Sequence, residues 1–235
     1  MGNPLRLIDP NGMVTVDPYD PEADEDDCFA RMGGFGGGNS PDDDWYNFGT
    51  KNNPKIEWRE GSGQQTAYDG STINSLGETL IVGLSYGLDE KPGDAKFYLF
   101  DKANIYNWTA MISGNTIPTP TDPKQFGTLA AGLYEGVVTM FTGGSGHRDK
   151  AIQLPGDLPA LGDNPGNDRN IGRPIGKHII DGVFIHWGAR NASMLGTLDA
   201  PISRGCQTLS GGAKYKEFMS HFTLGQKVNY LLIRK

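Results

Sequence analysis

The chain has 235 residues, 37% of them hydrophobic and 10% aromatic, which is enough for one ordinary core with an appendage, or for two small ones. Its formal net charge is −7, with Lys and Arg scattered rather than gathered into a stripe. That argues against nucleic acid as a partner, because phosphate binding needs clustered basic residues. No run approaches the ~20 consecutive apolar residues that cross a bilayer, so no membrane span is expected.

With 34 glycines and 15 prolines, the composition favours turns and short strands over long helices. The opening residues Met1 to Pro10 lack the apolar core of a secretory signal, so export by a parent protein is the expected alternative to an internal location. Asp17 to Asp27 holds seven carboxylates in eleven positions, followed by the glycine-rich Gly33–Gly38 and by Asp42, Asp43 and Asp44. Like charges at that density repel and do not pack, so a solvated linker is expected. Calcium is the alternative, but the alternating ligands and fixed glycine of an EF-hand loop are missing. Gly33–Gly38 also lacks the Lys-Ser/Thr that completes a phosphate-binding loop. No metal and no cofactor are expected. Residues 1–75 are therefore read as an acidic, irregular, Gly-rich junction, and residues 76–235 as the folded domain.

Within that domain, Thr79–Tyr86 and Ala95–Asp101 are β-branched and aromatic runs of strand length, and Ile105–Ser113 alternates as a half-buried strand does. Further strands are expected at Gly132–Met140, Gly182–His186 and Lys227–Ile233. One helix is expected over Gly212–Phe222, where Tyr215, Phe218, Met219 and Phe222 share a core-facing side. Pro155–Pro174, rich in Pro, Gly, Asn and Asp, reads as a long loop. The fold class is mainly β, a sandwich or mixed sheet with one supporting helix.

The extreme N-terminus, Asn3-Pro-Leu-Arg-Leu-Ile-Asp-Pro-Asn-Gly-Met13, resembles the segment that closes the repeat shell of RHS/YD-repeat proteins. There it marks the junction with a variable C-terminal toxin. The same residues also suit an ordinary Asp-Pro-Asn-Gly turn.

The chemistry concentrates in Asp181-Gly-Val-Phe-Ile-His186-Trp-Gly188 and Ile202-Ser-Arg-Gly-Cys206-Gln207. A His ending a strand beside a glycine turn presents an imidazole at a rim. A Cys entering a turn after Gly has backbone N–H groups near its sulfur, which favour the thiolate and can receive an oxyanion. A thiol of pKa near ~8.5 is mostly protonated at neutral pH, and an adjacent imidazole is the usual activator. Cys28, the other cysteine, has no such neighbours.

His186, then Ser203-Arg-Gly-Cys206, resembles the YkuD-type L,D-transpeptidase domain, whose motif runs from a strand-borne His to S-H-G-C. The likeness extends upstream to the Ala95–Asp101 strand, to Ser113-Gly114 as a turn, and to Gly127–Tyr134. It covers roughly residues 78–235. The resemblance implies Cys206 as nucleophile and His186 as base, with oxyanion and site support from Gly205, Ser203, Arg204 and Gly188. The substrate would be peptidoglycan stem peptides, cross-linked, cut or exchanged outside the cytoplasm, in the periplasm or wall. A cognate immunity protein is the partner that the toxin junction implies. Papain-like and NlpC-type peptidases are disfavoured because their Cys precedes their His, and here only His221 follows Cys206, inside the expected helix.

Two positions depart from the family pattern. Arg204 replaces the His before Gly-Cys; it can stabilise a thiolate but cannot act as a base. Thr208 stands where Arg or Asn is usual, which bears on how a donor carboxylate is held. His147, Trp187 and Thr208 are candidate substrate contacts, although His147 and Trp187 also suit a surface loop and a packing role. His178 and His221 are read as structural and surface residues. The rival readings are an inactive wall-peptide-binding module and a structural domain with a buried thiol at position 206.

Overall fold

The computed structural model describes residues 44–50, 54–59, 63–66, 69–85, 93–102, 108–117, 128–142, 148–161, 179–189 and 205–234. The acidic run, Gly33–Gly38, the Asn3–Met13 motif, Cys28 and His178 lie outside these residues. The described residues fall into two units, one within Met1–Ile81 and Tyr98–Ala110, the other within Val82–Phe97 and Met111–Lys235.

In the first unit, β1 (Asp44–Asn47), β2 (Ile56–Arg59), β3 (Gln64–Thr66) and β4 (Thr72–Gly77) form a sheet in the order β2-β1-β4-β3. This corrects the expectation of irregular structure up to residue 75 over the stretch that begins at Asp44. The strands are short and rich in polar residues, so their alternation is too brief to register as a sequence pattern. Trp45 and Tyr46 of β1 are buried, and Trp45 meets Trp58 edge-on at 5.1 Å. The buried Asp44 accepts a hydrogen bond from Ser75 Oγ at 2.6 Å, which satisfies a carboxylate that would otherwise be costly there.

The large sheet is a closed barrel in the order β10-β13-β14-β7-β6-β5-β15-β9. Its strands are β5 (Leu80–Ser85), β6 (Ala95–Phe100), β7 (Ala110–Asn115), β9 (Gly132–Thr142), β10 (Arg148–Leu154), β13 (Val183–Ala189), β14 (Gln207–Ser210) and β15 (Lys227–Arg234). They belong to the second unit except Leu80 and Ile81, Tyr98–Phe100 and Ala110. A three-stranded sheet, β12-β11-β8, adds β8 (Thr128–Leu129), β11 (Leu158–Leu161) and β12 (Ile179–Ile180). The single described helix, α1 (Ala213–Ser220), buries Tyr215, Phe218 and Met219. The mainly-β expectation with one supporting helix holds, and its mixed-sheet form is the one found, closed on itself.

The barrel interior can be recognised from contacts that cross it. Tyr230 of β15 stacks on Phe97 of β6 at 6.0 Å, and its hydroxyl donates to Gln207 Oε1 on β14 at 3.2 Å. Tyr230 fits because β5 carries Gly83, where a Cβ would lie 2.4 Å from the phenol oxygen. Gln207, Leu209 and Ile185 thus point inward, and strand alternation sends His186 and Thr208 outward.

Two local expectations change. Ser113 and Gly114 lie inside β7, not in a turn, and Gly114 allows a backbone approach in which a Cβ would meet Thr208 O at 2.2 Å. The loop expected from Pro155 is interrupted by β11, which pairs with β8 and β12, and residues 162–178 lie outside the described set.

Candidate active site on strands β13 and β14

β13 and β14 run parallel, with Ile185 opposite Gln207, His186 opposite Thr208 and Trp187 opposite Leu209. Cys206 immediately precedes β14, so it enters the pair level with Phe184. By alternation it shares the outer face with His186. Diagonal neighbours two residues apart on adjacent strands stand roughly 7–8 Å apart, which is the offset between Cys206 and His186. Cys206 is a half-buried thiol in no disulfide, and its Sγ points to Gly182 O at 3.7 Å, back toward the start of β13 and not forward to His186. Gly205 has φ 127°, a conformation that L side chains rarely adopt. The Gly-Cys order therefore has a conformational reason: only glycine turns the chain into β14 at that point.

The register shifts between Trp187 and Ala189, which makes Gly188 the extra residue of a β-bulge. In a regular strand the carbonyl of residue i+1 points into the ladder, away from the side chain of residue i. Here the bulge lets Trp187 O meet the Nδ1 of His186 at 2.7 Å. A carbonyl only accepts, so Nδ1 carries the proton and, in the neutral ring, Nε2 holds the lone pair.

His186 is 6% exposed. Burial pushes its pKa below the ordinary imidazole value; the bond to Trp187 O favours the protonated ring and opposes that shift with a smaller effect. Phe141 of β9 stacks on the imidazole at 4.5 Å and meets Phe184 in a tilted contact at 4.9 Å, fixing the ring plane from the β9 side. The result is a neutral, oriented imidazole with a basic Nε2.

Thr208, beside His186, is 1% exposed, and its Oγ1 is buried with no hydrogen-bond partner among the described residues. Ser210 further along β14 donates to Ser113 O at 2.7 Å, tying β14 to β7. α1 lies against β14. Its Tyr215 hydroxyl donates to Lys150 O of β10, and Lys150 Nζ donates to Phe222 O at 2.7 Å.

Of the sequence candidates, His186, Cys206, Gly205, Gly188, Trp187 and Thr208 come together on this strand pair. Ser203, Arg204 and His147 lie outside the described residues. Sequence reasoning missed Phe141, the Trp187 carbonyl and the phenol of Tyr215. A lone Phe in a strand carries no signal of a ring stack formed across three strands. The carbonyl's role depends on a bulge that only the Gly after His-Trp hints at. Among the described residues no three His, Cys, Asp or Glu side chains group as a metal site, and no helix is long and apolar enough to cross a membrane.

Comparison with known proteins gives no match to a family model, a curated protein or a solved structure.

Proposed function

We propose that this protein is a cysteine acyltransferase of the L,D-transpeptidase kind, acting on peptidoglycan stem peptides. The observation that carries the reading is the shared outer face of one parallel strand pair, with Cys206 at the head of β14 and His186, basic at Nε2, on β13. A nucleophile and a neutral base held on rigid strands are the minimal machinery for thiol acyl transfer.

The reaction follows from those groups. His186 Nε2 takes the proton of Cys206 Sγ, and the thiolate forms a bond to the carbonyl carbon at the L-centre of the third stem residue. Backbone N–H groups at Gly205–Cys206 receive the oxyanion. The C–N bond breaks, and the departing D-Ala amine takes the proton back from the imidazolium, leaving a thioester. Water then releases the shortened stem, or an amine takes the acyl group to give a cross-link or an exchanged D-amino acid.

The wider setting is part of the proposal. The Asn3–Met13 motif supports a C-terminal toxin domain of an RHS-type protein, exported with its parent to a competitor's wall and neutralised at home by an immunity protein. Digestion of purified peptidoglycan followed by mass spectrometry of the stems tests the enzymatic claim. Shortened or exchanged stems are expected with the native protein and not with Cys206→Ala or His186→Ala. Unaltered stems with folded native protein overturn it.

A further inference from the structure

Tyr215, the third residue of α1, is 2% exposed, and it holds a phenol where two barrel strands meet. β10 and β13 pair antiparallel from Leu154 opposite Val183 to Ile152 opposite Ile185. Carried two residues further, that register would bring Lys150 opposite Trp187. The Tyr215 hydroxyl stands at this place. It donates to Lys150 O, and its oxygen accepts from the backbone N–H of Trp187. Trp187 is thereby gripped from both ends, by the phenol at its N–H and by the His186 imidazole at its carbonyl. It also begins the bulge that lets that carbonyl turn back.

We propose that Tyr215 is a positioning residue for His186: its phenol bridges β10 and β13 and pins Trp187, so that the Trp187 carbonyl stays on Nδ1 and the basic nitrogen stays Nε2. Three physical points support this. A bulge residue lacks the full ladder that would otherwise fix it. A phenol can both donate and accept, which is what a carbonyl and an N–H on facing strands require. Burial holds both bonds away from competing water. Tyr215 touches no reacting atom; its effect passes through one residue of backbone. The inference rests on reading His186 as the base.

The test uses the full chain with ¹⁵N-labelled histidine. Nitrogen–proton correlation spectra report the His186 tautomer, assigned by loss of its signals in His186→Gln. The native protein is expected to show a single Nδ1–H tautomer, and Tyr215→Phe a mixture of both. On muropeptide substrate, Tyr215→Phe should lower kcat by roughly tenfold with KM little changed, because it removes both bonds through which the phenol pins Trp187. A folded Tyr215→Phe protein with an unmixed tautomer overturns the proposal. Should that variant fail to fold, amide exchange in the native protein decides. The Trp187 N–H should be protected as strongly as its neighbours in β13, and fast exchange there overturns the proposal. Absence of peptidoglycan turnover by the native protein removes the catalytic reading alone, since the tautomer measurement needs no activity.

Discussion

His186 Nδ1 donates to the carbonyl of Trp187, the next residue in its own strand, at 2.7 Å. Such a bond needs the strand to be broken at that point, and the Gly188 bulge breaks it. The imidazole is therefore oriented by backbone, where many histidines rely on a carboxylate. A carbonyl does not ionise, so the orientation persists at any pH that leaves the fold intact.

The ionisation of His186 gives the first prediction. Its folded pKa lies below the ordinary value because burial disfavours the charged ring. The unfolded ring titrates near ~6.5. Between those values the unfolded chain binds the extra proton, so stability rises with pH across that window. The contribution is complete above about 6.5 and is lost as pH falls through the folded value. Urea unfolding at about pH 7 and pH 5 should show the native protein losing stability relative to His186→Gln. On the functional reading, the acid limb of kcat/KM falls below ~6.5. Parallel unfolding results for the two proteins would remove the buried neutral imidazole.

Thr208 gives a prediction in which stability and function part. Its hydroxyl is buried without a partner among the described residues, a state that costs about 1–3 kcal/mol. Thr208→Val keeps the shape and removes that cost, so the melting temperature should hold or rise. A hydroxyl kept for bound substrate would show as a higher KM in the same variant. A fall in stability would mean that Oγ1 has a structural partner.

At Gly114 the effect is steric. An added Cβ would lie 2.2 Å from Thr208 O, a backbone atom with no freedom to move aside. Gly114→Ala should separate β7 from β14 and cost about 1–3 kcal/mol or more. Denaturant titration would show it, with Gly156→Ala as a comparison that meets open space but carries a positive φ of 81°. A Gly114→Ala protein as stable as native would contradict the close strand approach.

Arg234, 7% exposed, spends its guanidinium inside the fold. Nε and NH2 donate to Leu129 O at 2.9 and 2.7 Å, NH1 to Ser85 Oγ at 2.7 Å and Thr116 Oγ1 at 3.0 Å, and NH2 to Thr116 O at 3.1 Å. These bonds match the donor capacity of the group. Arg234→Met removes the donors to Leu129 O and leaves Thr116 O with the longer 3.4 Å bond from Gln207 Nε2, and should cost about 2–3 kcal/mol. Arg234→Lys, with a compact ammonium, should recover part of it. Equal midpoints for all three proteins would show that the network contributes nothing.

How much of this was legible depended on where polar residues went. Ala95–Phe100 and Lys227–Arg234 read as strands because their apolar runs are buried almost throughout. The helix face of Tyr215, Phe218, Met219 and Phe222 was equally plain, and all four are buried. β14 was illegible as a strand. Gln207, Thr208 and Ser210 are polar yet buried, and Gln207 and Ser210 are satisfied by partners such as Tyr230 and Ser113 that lie far away in sequence. β10 was missed for a related reason: Arg148-Asp-Lys150 looks like a turn, whereas the Lys150 ammonium reaches Phe222 O. For the site, the residue types at 186 and 206 and the glycines beside them were readable. The aromatic support from Phe141 and Tyr215 was not, because it is created by barrel closure.

The strand order also bears on when the barrel can exist during synthesis. β15, residues 227–234, sits between β5 and β9, so the ring has a gap until that strand has left the ribosome. Nascent chains ending before residue 227 lack the staple that joins one half of the cylinder to the other, although both β13 and β14 have been made. A ribosome that has not yet released residues 227–234 therefore carries the barrel open, and the cylinder closes only once that strand has emerged.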